Sequence, residues 1–330
     1  MVPELKRSQM SSYFKYIVKR VFLSLFTIFV ISIFAFLIVH LLPGDPVRTM
    51  LGYESDQAAV DALREELNLN KPLPIQYLLW IQGIFRGDFG RSVLLGESIS
   101  VLIRDRLPVS LWITVPSIVL SVLFGVVIGI VCATHRGSFW DQILTVIMTT
   151  MNGIPIFWIG ILFIYLFGVK LRCLPFVGFV SPLVDFKEYV RHAFLPVLIC
   201  SFRPLSSIAR QVRTNMLDVI NHDYIRTARA YGISTTRIRY KYALKNVLIP
   251  IITLIALQVR SIVGGSLLAE QVFSIAGISR LITQSVMNND FLVIQALVLV
   301  ISFFVVFANL LLDIAYGFVD PRIRINGGKA

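Results

Sequence analysis

The chain has 330 residues, of which 56% are hydrophobic and only 15% are charged, and its mean hydropathy is +0.77. An average soluble domain is about 45–50% apolar and about 25% charged, so this composition excludes a soluble enzyme, a disordered tail and a secreted disulfide-stabilised protein. The net charge of +12 fits either nucleic-acid binding or the basic cytoplasmic loops of a membrane protein, and the positions of the charges decide between them.

The first predicted membrane span covers residues 21–42, a run of 22 residues without Lys, Arg, Asp or Glu. About 20 apolar residues cross the hydrocarbon core of a bilayer. The run is too long for a signal peptide and lacks a small-residue cleavage site. Because basic residues of the tail 1–20 precede it, we expect an uncleaved helix that enters the membrane from the cytoplasm.

The segment 43–108 is large enough to fold outside the membrane. It holds nine acidic and seven basic residues. Apolar residues recur at helical spacing between Val60 and Leu67, after a cap at Asp56. A second short helix is predicted after Pro74. The sequence therefore predicts a small helical extracytoplasmic segment.

Two further spans are predicted at 109–134 and 142–169, both without a formal charge. The second contains Asn152, Gly153 and Pro155, residues that interrupt a regular helix. We therefore expect a kink in the third span.

The fourth and fifth predicted spans, 193–213 and 246–269, each contain an arginine and residues that disfavour a regular helix. Such spans survive only where neighbouring helices or a water-filled cavity receive them, so both are predicted to face the interior of a helix bundle. The sixth span, 291–316, carries no formal charge apart from Asp313.

Basic residues indicate the orientation of these six spans. The segments assigned to one side, which include both tails (1–20 and 317–330), hold 18 Lys and Arg, and the short loops on the other side hold five. The long segment 43–108 is largely exempt from this rule. The sequence thus predicts an all-α polytopic membrane protein of six transmembrane helices with both termini in the cytoplasm.

The cytoplasmic loop 214–245 carries the clearest functional pattern. Asp223 can cap a short helix that ends at Gly232, and Ser234 can cap a second helix. The stripe of the first helix is predicted to be Tyr224, Ala228 and Tyr231. Ala228 and Ala230 permit close backbone approach, which suits docking into a groove of another protein. The alternative is a loop that only sets topology or touches anionic lipid, since the stretch 203–247 has a net charge of +7.

This loop resembles the cytoplasmic coupling motif of ABC importer permeases, and the whole chain resembles the oligopeptide, dipeptide and nickel branch of that family. The motif has a triplet six residues before a glycine, matched here by Arg226–Ala228 before Gly232. The triplet has Arg-Thr where Glu-Ala is usual, as in the peptide branch. The other matching segments are Leu42–Pro46, Gly87–Ser92 and Asp320–Arg322.

The resemblance implies the type I ABC importer permease fold and a role in a heteromeric importer. A second, homologous permease completes the pathway, two ATPase subunits dock on the coupling helices, and an extracytoplasmic binding protein delivers substrate. The residues that couple to the ATPase are then Asp223, Tyr224, Arg226, Thr227, Ala228, Arg229, Ala230 and Gly232. The implied location is a bacterial or archaeal cell (inner) membrane.

The same resemblance implies that this chain binds no cofactor, and that partner subunits hydrolyse ATP with Mg. In agreement, the sequence contains no G-x-x-x-x-G-K-[ST] motif. The four histidines are scattered, so neither a metal site nor a catalytic site is expected. Nucleic acid is not an expected partner.

Five residues of the fifth span are candidates to line the translocation path, because a charge inside a membrane is by default functional and glycines allow a hinge or close helix approach. They are Gln258, Arg260, Ser261, Gly264 and Gly265. Alternatively, Arg260 pairs with a neighbouring subunit or reaches a membrane interface. Glu270 is interpreted as a solvated helix end.

The remaining charges of the spans have structural interpretations. Asp313 is expected near the inner headgroups. The arginines of the fourth span, Arg203, Arg210 and Arg213, are interpreted as positive-inside anchors. Of the three cysteines, Cys132 and Cys200 lie in apolar runs and are expected to be buried.

Two other functional classes stay open. A self-sufficient channel or ion-coupled transporter would show inverted repeats and buried acidic residues at mid-membrane, and an intramembrane enzyme would show a nucleophile–base pair or a metal site. Within the permease family, dipeptides, oligopeptides, glutathione-like peptides, nickel chelates and some sugars are all compatible substrates.

Overall fold

The computed structural model describes residues 2–41, 46–52, 55–92, 94–234, 237–238 and 268–319. Their α-helices, in chain order, are α1 (Val2–Leu41), α2 (Pro46–Leu51), α3 (Gln57–Glu66), α4 (Leu73–Phe85), α5 (Ile99–Thr134), α6 (Phe139–Gly153), α7 (Ile156–Phe163), α8 (Phe186–Ile220), α9 (Asp223–Ala230), α10 (Ile278–Met287) and α11 (Phe291–Val319). A π-helical segment, Ile164–Lys170, continues α7. Within these residues the sole β pairing outside the helices is one bridge between Arg91 and Ser98.

Four of the described helices are long and apolar enough to cross a membrane, and a fifth span is obtained if α6 and the run Ile156–Lys170 are counted together. The four are α1, α5, α8 and α11. The predicted span 246–269 lies, apart from its last two residues, outside the described part of the chain. The number of six spans therefore stays a prediction.

The spanning helices extend well beyond their apolar runs. α1 begins at Val2, so the predicted tail 1–20 and the span 21–42 share one helix up to Leu41. α5 begins at Ile99, inside the predicted segment 43–108. Adding a residue to an existing helix costs far less than nucleating one, so polar flanking residues continue the helices.

The kink predicted in the third span is confirmed, and it is a complete break. α6 and the helical run after it are bent by 104°. Ile154 is extended, with φ −82° and ψ 134°, because the ring of Pro155 disfavours a helical conformation at the residue before it. Two shorter helices thus replace one continuous span.

The two short helices predicted in the segment 43–108 are also present. α3 starts directly after Asp56, although the Asp56 side chain makes no capping hydrogen bond. Val60 of α3 is fully buried. α4 has Pro74 in its first turn, a position where the missing N–H has no helical partner in any case.

The chain divides into two compact units. The larger comprises Met1–Arg20, Leu111–Ile275 and Ala308–Ala330, and the smaller comprises Val21–Ser110 and Ala276–Phe307.

The core of the smaller unit joins the start of α5 to α10 and α11. Its central buried side chains are Ile99, Leu102, Ile103, Ile278, Leu281, Val293, Ala296, Leu297 and Val300. Two polar contacts join distant parts of this unit: His40 Nε2 lies 3.0 Å from Gln76 Oε1, and the Ser92 hydroxyl donates to the Asp290 carboxylate.

The core of the larger unit lies between α5 and α8. Ala133 of α5 packs there with Ile208, Val212 and Met216 of α8. Cys132 and Cys200 are buried free thiols, as expected from their apolar surroundings in the sequence, whereas Cys173 is exposed.

Candidate coupling site

The predicted short helix of the cytoplasmic loop is present as α9, which ends before Gly232. Gly232 has φ +74°, a conformation that glycine adopts at little cost. The Gly232 N–H donates to Arg229 O at 2.9 Å, and the Ile233 N–H donates to Ala228 O at 3.2 Å. These two bonds form a Schellman motif, so the prediction of Gly232 as the residue that ends the helix is confirmed.

The start of α9 differs from the prediction. His222, not Asp223, occupies the N-cap position, and no side-chain capping bond is formed there. Asp223 is instead the first helical residue, where a carboxylate interacts favourably with the positive end of the helix dipole. Its side chain is almost fully exposed, and it lies 3.5 Å from the Arg226 guanidinium.

Of the predicted stripe Tyr224, Ala228 and Tyr231, only Ala228 is buried. Ile225 and Ala228 are the buried residues of this helix, and they pack with Ile238 and the partly buried Ile233. The sequence pattern missed Ile225 because the two tyrosines offered a larger apolar stripe. Tyr231 is 83% exposed and Tyr224 40% exposed.

All of the predicted coupling residues except the buried Ala228 are exposed, and so is Tyr231, which was not among them. Apart from the two buried positions, every residue from Asp223 to Gly232 is exposed. The exposed side chains are those of Asp223, Tyr224, Arg226, Thr227, Arg229, Ala230 and Tyr231. Arginine and tyrosine are enriched at protein–protein interfaces, so this cationic and aromatic surface can receive another protein.

α9 is attached directly to the end of α8. Asn221 and His222 are the only residues between the two helices, and their N–H groups donate to Asp218 O and Val219 O. A displacement of α9 therefore acts on the end of α8 through a two-residue connection.

Helices α5 and α8 pack very closely against each other. A Cβ atom on Gly129 of α5 would lie 2.6 Å from Ala209 O and 2.6 Å from Val212 Cβ. Small residues that allow such close approach are typical of helix pairs in membranes. α5 and α8 thus form one closely packed pair.

Serine hydroxyls add polar contacts to this pair. Ser117 Oγ lies 2.7 Å from Ile113 O of its own helix and 3.2 Å from Val197 O of α8. Ser121 Oγ makes the corresponding contact to Ser201 O at 3.1 Å. Both serines are buried, so their hydroxyls are satisfied without water.

α8 is also joined to α6 by an ion pair that the sequence did not predict. Arg213 Nε and Nη2 donate to the two carboxylate oxygens of Asp141 at 2.8 and 2.9 Å. The Asp141 side chain is 5% exposed. The interpretation of Arg213 as a positive-inside anchor stays a prediction, to which the structure adds this ion pair, whereas Arg203 and Arg210 are exposed.

Two further acidic residues were assigned environments from the sequence. Glu270 is fully buried, so its interpretation as a solvated helix end is wrong. Asp313 lies 3.1 Å from Arg20 Nη1 and is partly exposed.

The path candidates Gln258, Arg260, Ser261, Gly264 and Gly265 lie outside the described residues. Among the residues described, no group of three His, Cys, Asp or Glu side chains could hold a metal ion.

Comparisons with known proteins identify the family. Residues 125–325 match the family model described as the binding-protein-dependent transport system inner membrane component. Residues 13–114 match the model for the N-terminal part of such components. The chain belongs to this family of ABC importer permeases. The resemblance stated from the coupling motif is thereby confirmed.

Relatives of the permease cover almost its whole length. It is 37% identical over 309 residues to a probable peptide ABC transporter permease protein, y4tP, of Sinorhizobium fredii, covering 94% of this chain and 99% of the relative. It is 36% identical to the glutathione transport system permease protein GsiC of Escherichia coli K12, covering 94% of this chain and 98% of the relative.

A solved structure shares the fold of the permease. The chain superposes on a chain of the inward-facing MetNI methionine ABC transporter with a TM-score of 0.51 and 18% identity, covering 64% of this chain and 94% of the other. The predicted all-helical permease fold is confirmed, and the chain is a membrane-embedded transport subunit of the kind found in bacterial inner membranes.

Proposed function

We propose that this permease forms half of the membrane pathway of an importer for di- or oligopeptides. A second homologous permease supplies the other half, two ATPase subunits supply the energy, and an extracytoplasmic protein delivers the substrate. The names of the relatives support a peptide substrate, because one is a probable peptide permease and others transport glutathione. A glutathione-like peptide is therefore the first substrate to test, ahead of nickel chelates.

The docking element in this proposal is α9. The observation that supports this role is that two residues of the helix are buried against the permease, while the rest of the helix is exposed. Ile225 and Ala228 hold the helix to the permease, and the exposed side chains of Arg229 and Tyr231 are in a position to contact an ATPase. The charge count of the sequence supports a cytoplasmic position for this surface and for both termini.

ATP and Mg act on the partner subunits in this mechanism. Closure of the ATPases displaces α9, and the displacement shifts the permease between outward-open and inward-open states. Five residues of the predicted fifth span are proposed to line the path, a role supported by the rarity of an arginine in an apolar span. They are Gln258, Arg260, Ser261, Gly264 and Gly265.

Charge reversal on α9 tests the docking proposal. In the affinity-purified complex, Arg229→Glu is expected to reduce ATPase subunit retention about tenfold or more, because a cationic contact becomes repulsive. The matched control is Arg136→Glu, the same reversal on an exposed arginine outside α9. Equal ATPase retention by the two variants would contradict docking through α9.

A further inference from the structure

The Arg213–Asp141 pair joins helices α8 and α6 of the larger unit. The guanidinium contacts the carboxylate through two parallel hydrogen bonds, a geometry that fixes both distance and angle. The Gly137 N–H donates to the same carboxylate at 3.0 Å. Asp141 therefore has three donors from two parts of the chain.

The same aspartate holds the turn between α5 and α6. Gly137 has φ +79°, a conformation suited to glycine. Ser138 caps α6, and its hydroxyl accepts the Asp141 N–H at 3.3 Å. The first turn of α6 is thus bound through Asp141 both to this loop and to α8.

Arg213 lies close to the coupling helix along the chain. It is seven residues before the end of α8 at Ile220, about 10 Å at 1.5 Å per residue. α9 follows after two connecting residues. Because α8 is one continuous helix between these points, movement at its end reaches Arg213.

The apolar contacts between α6 and α8 are less directional than the ion pair. Met148 of α6 packs with Cys132 and Ala209 in a small buried cluster. Packed apolar side chains can slide by small amounts, whereas a bidentate ion pair is lost when its geometry changes. Asp141 is also at the beginning of the helix that leads to the 104° break.

We propose that the Arg213–Asp141 pair is the positioning contact that makes α6, and with it the broken third span, follow the displacement of α9. This inference rests on the proposed function of α9 as the ATPase-docking helix. Arg213 and Asp141 act as positioning residues, because they transmit a movement and touch neither ATP nor substrate.

The decisive variant replaces the pair with apolar residues of similar size, Asp141→Leu with Arg213→Met. Such a replacement leaves no unpaired buried charge, and apolar substitutes for buried ion pairs commonly preserve folding. The matched control is Asp313→Leu with Arg20→Met, which removes a partly exposed ion pair of the same unit.

The measurement is glutathione or trialanine uptake per ATP hydrolysed, in proteoliposomes containing the complete importer. The apolar pair is expected to retain assembly and at least half of the ATPase activity, while uptake per ATP falls about tenfold. The single variant Arg213→Lys keeps the charge but not the two parallel bonds. Its uptake per ATP is expected to lie between that of the wild type and that of the apolar pair. The control pair is expected to keep the wild-type ratio.

An unchanged ratio in the apolar pair overturns the proposal. Should that variant fail to assemble, Arg213→Lys decides: a lowered ratio in an assembled complex supports the proposal, and the wild-type ratio overturns it. Failure of the proposed function is a separate result, seen as normal ATPase retention by Arg229→Glu or as no uptake of either peptide by the wild type.

Discussion

Helices α1 and α8 relate to their surroundings in opposite ways. In the most apolar 18-residue window of each, 17% of the α1 residues are buried, against 67% in the less apolar α8. Lipid chains are as apolar as leucine, so apolar side chains need no protein partner in a membrane, whereas polar side chains and prolines do. In this chain, the helix whose apolar sequence is interrupted by polar residues and prolines is therefore the one that is more buried in the protein.

The largest change in the free energy of unfolding is expected at the buried helix α8, from a substitution of Gly129, where α5 and α8 are in very close contact. Gly129→Ala is expected to lower the free energy of unfolding by about 3 kcal/mol, because the nearest atom is a backbone oxygen that cannot move aside as a side chain can. Unfolding in mixed detergent micelles, followed by tryptophan fluorescence, measures the change.

Gly153→Ala is the matched control, since a Cβ there would meet no atom of the described chain within 4 Å. Its stability is expected to be unchanged or slightly raised. Equal losses in the two variants would mean that the α5–α8 contact is looser than the structure indicates.

A smaller effect is expected from the serine contacts of the same helix pair. Ser121→Ala removes a hydrogen bond to Ser201 O, and such bonds in membranes contribute about 0.6 kcal/mol on average. The same unfolding assay should show a loss below about 1 kcal/mol. A loss of several kcal/mol would contradict a simple pairwise contact.

The smallest effect is expected on α1. Phe34 is 63% exposed, and leucine and phenylalanine have nearly equal insertion free energies. Phe34→Leu is expected to change the free energy of unfolding by less than about 0.5 kcal/mol. A loss above about 1 kcal/mol in the assembled importer, but not in the isolated chain, would show that a partner subunit covers this face.

Local patterns in the sequence predicted most of the architecture. The break at Pro155 and the end of α9 at Gly232 follow from the conformations of the residues themselves. Helix α9 could be predicted because Asp223, the two alanines and Gly232 lie within ten residues of one another.

Contacts between distant residues could not be predicted in the same way. Asp141 and Arg213 are 72 positions apart, and nothing local distinguishes this arginine from its exposed neighbours. Ile225 was missed for a different reason: Tyr224 and Tyr231 offer a larger apolar stripe than Ile225, and the contact with Ile238 decides which face is buried.

The broken third span has a consequence for the hydration of the protein. Ending α6 at Gly153 and restarting at Ile156 creates two extra helix ends, whose backbone groups are only partly paired by bonds such as Ile154 N–H to Thr150 O at 3.1 Å. Within a bilayer, unpaired carbonyl and amide groups are tolerated only beside protein or water. We therefore expect protein or water, rather than acyl chains, beside this break.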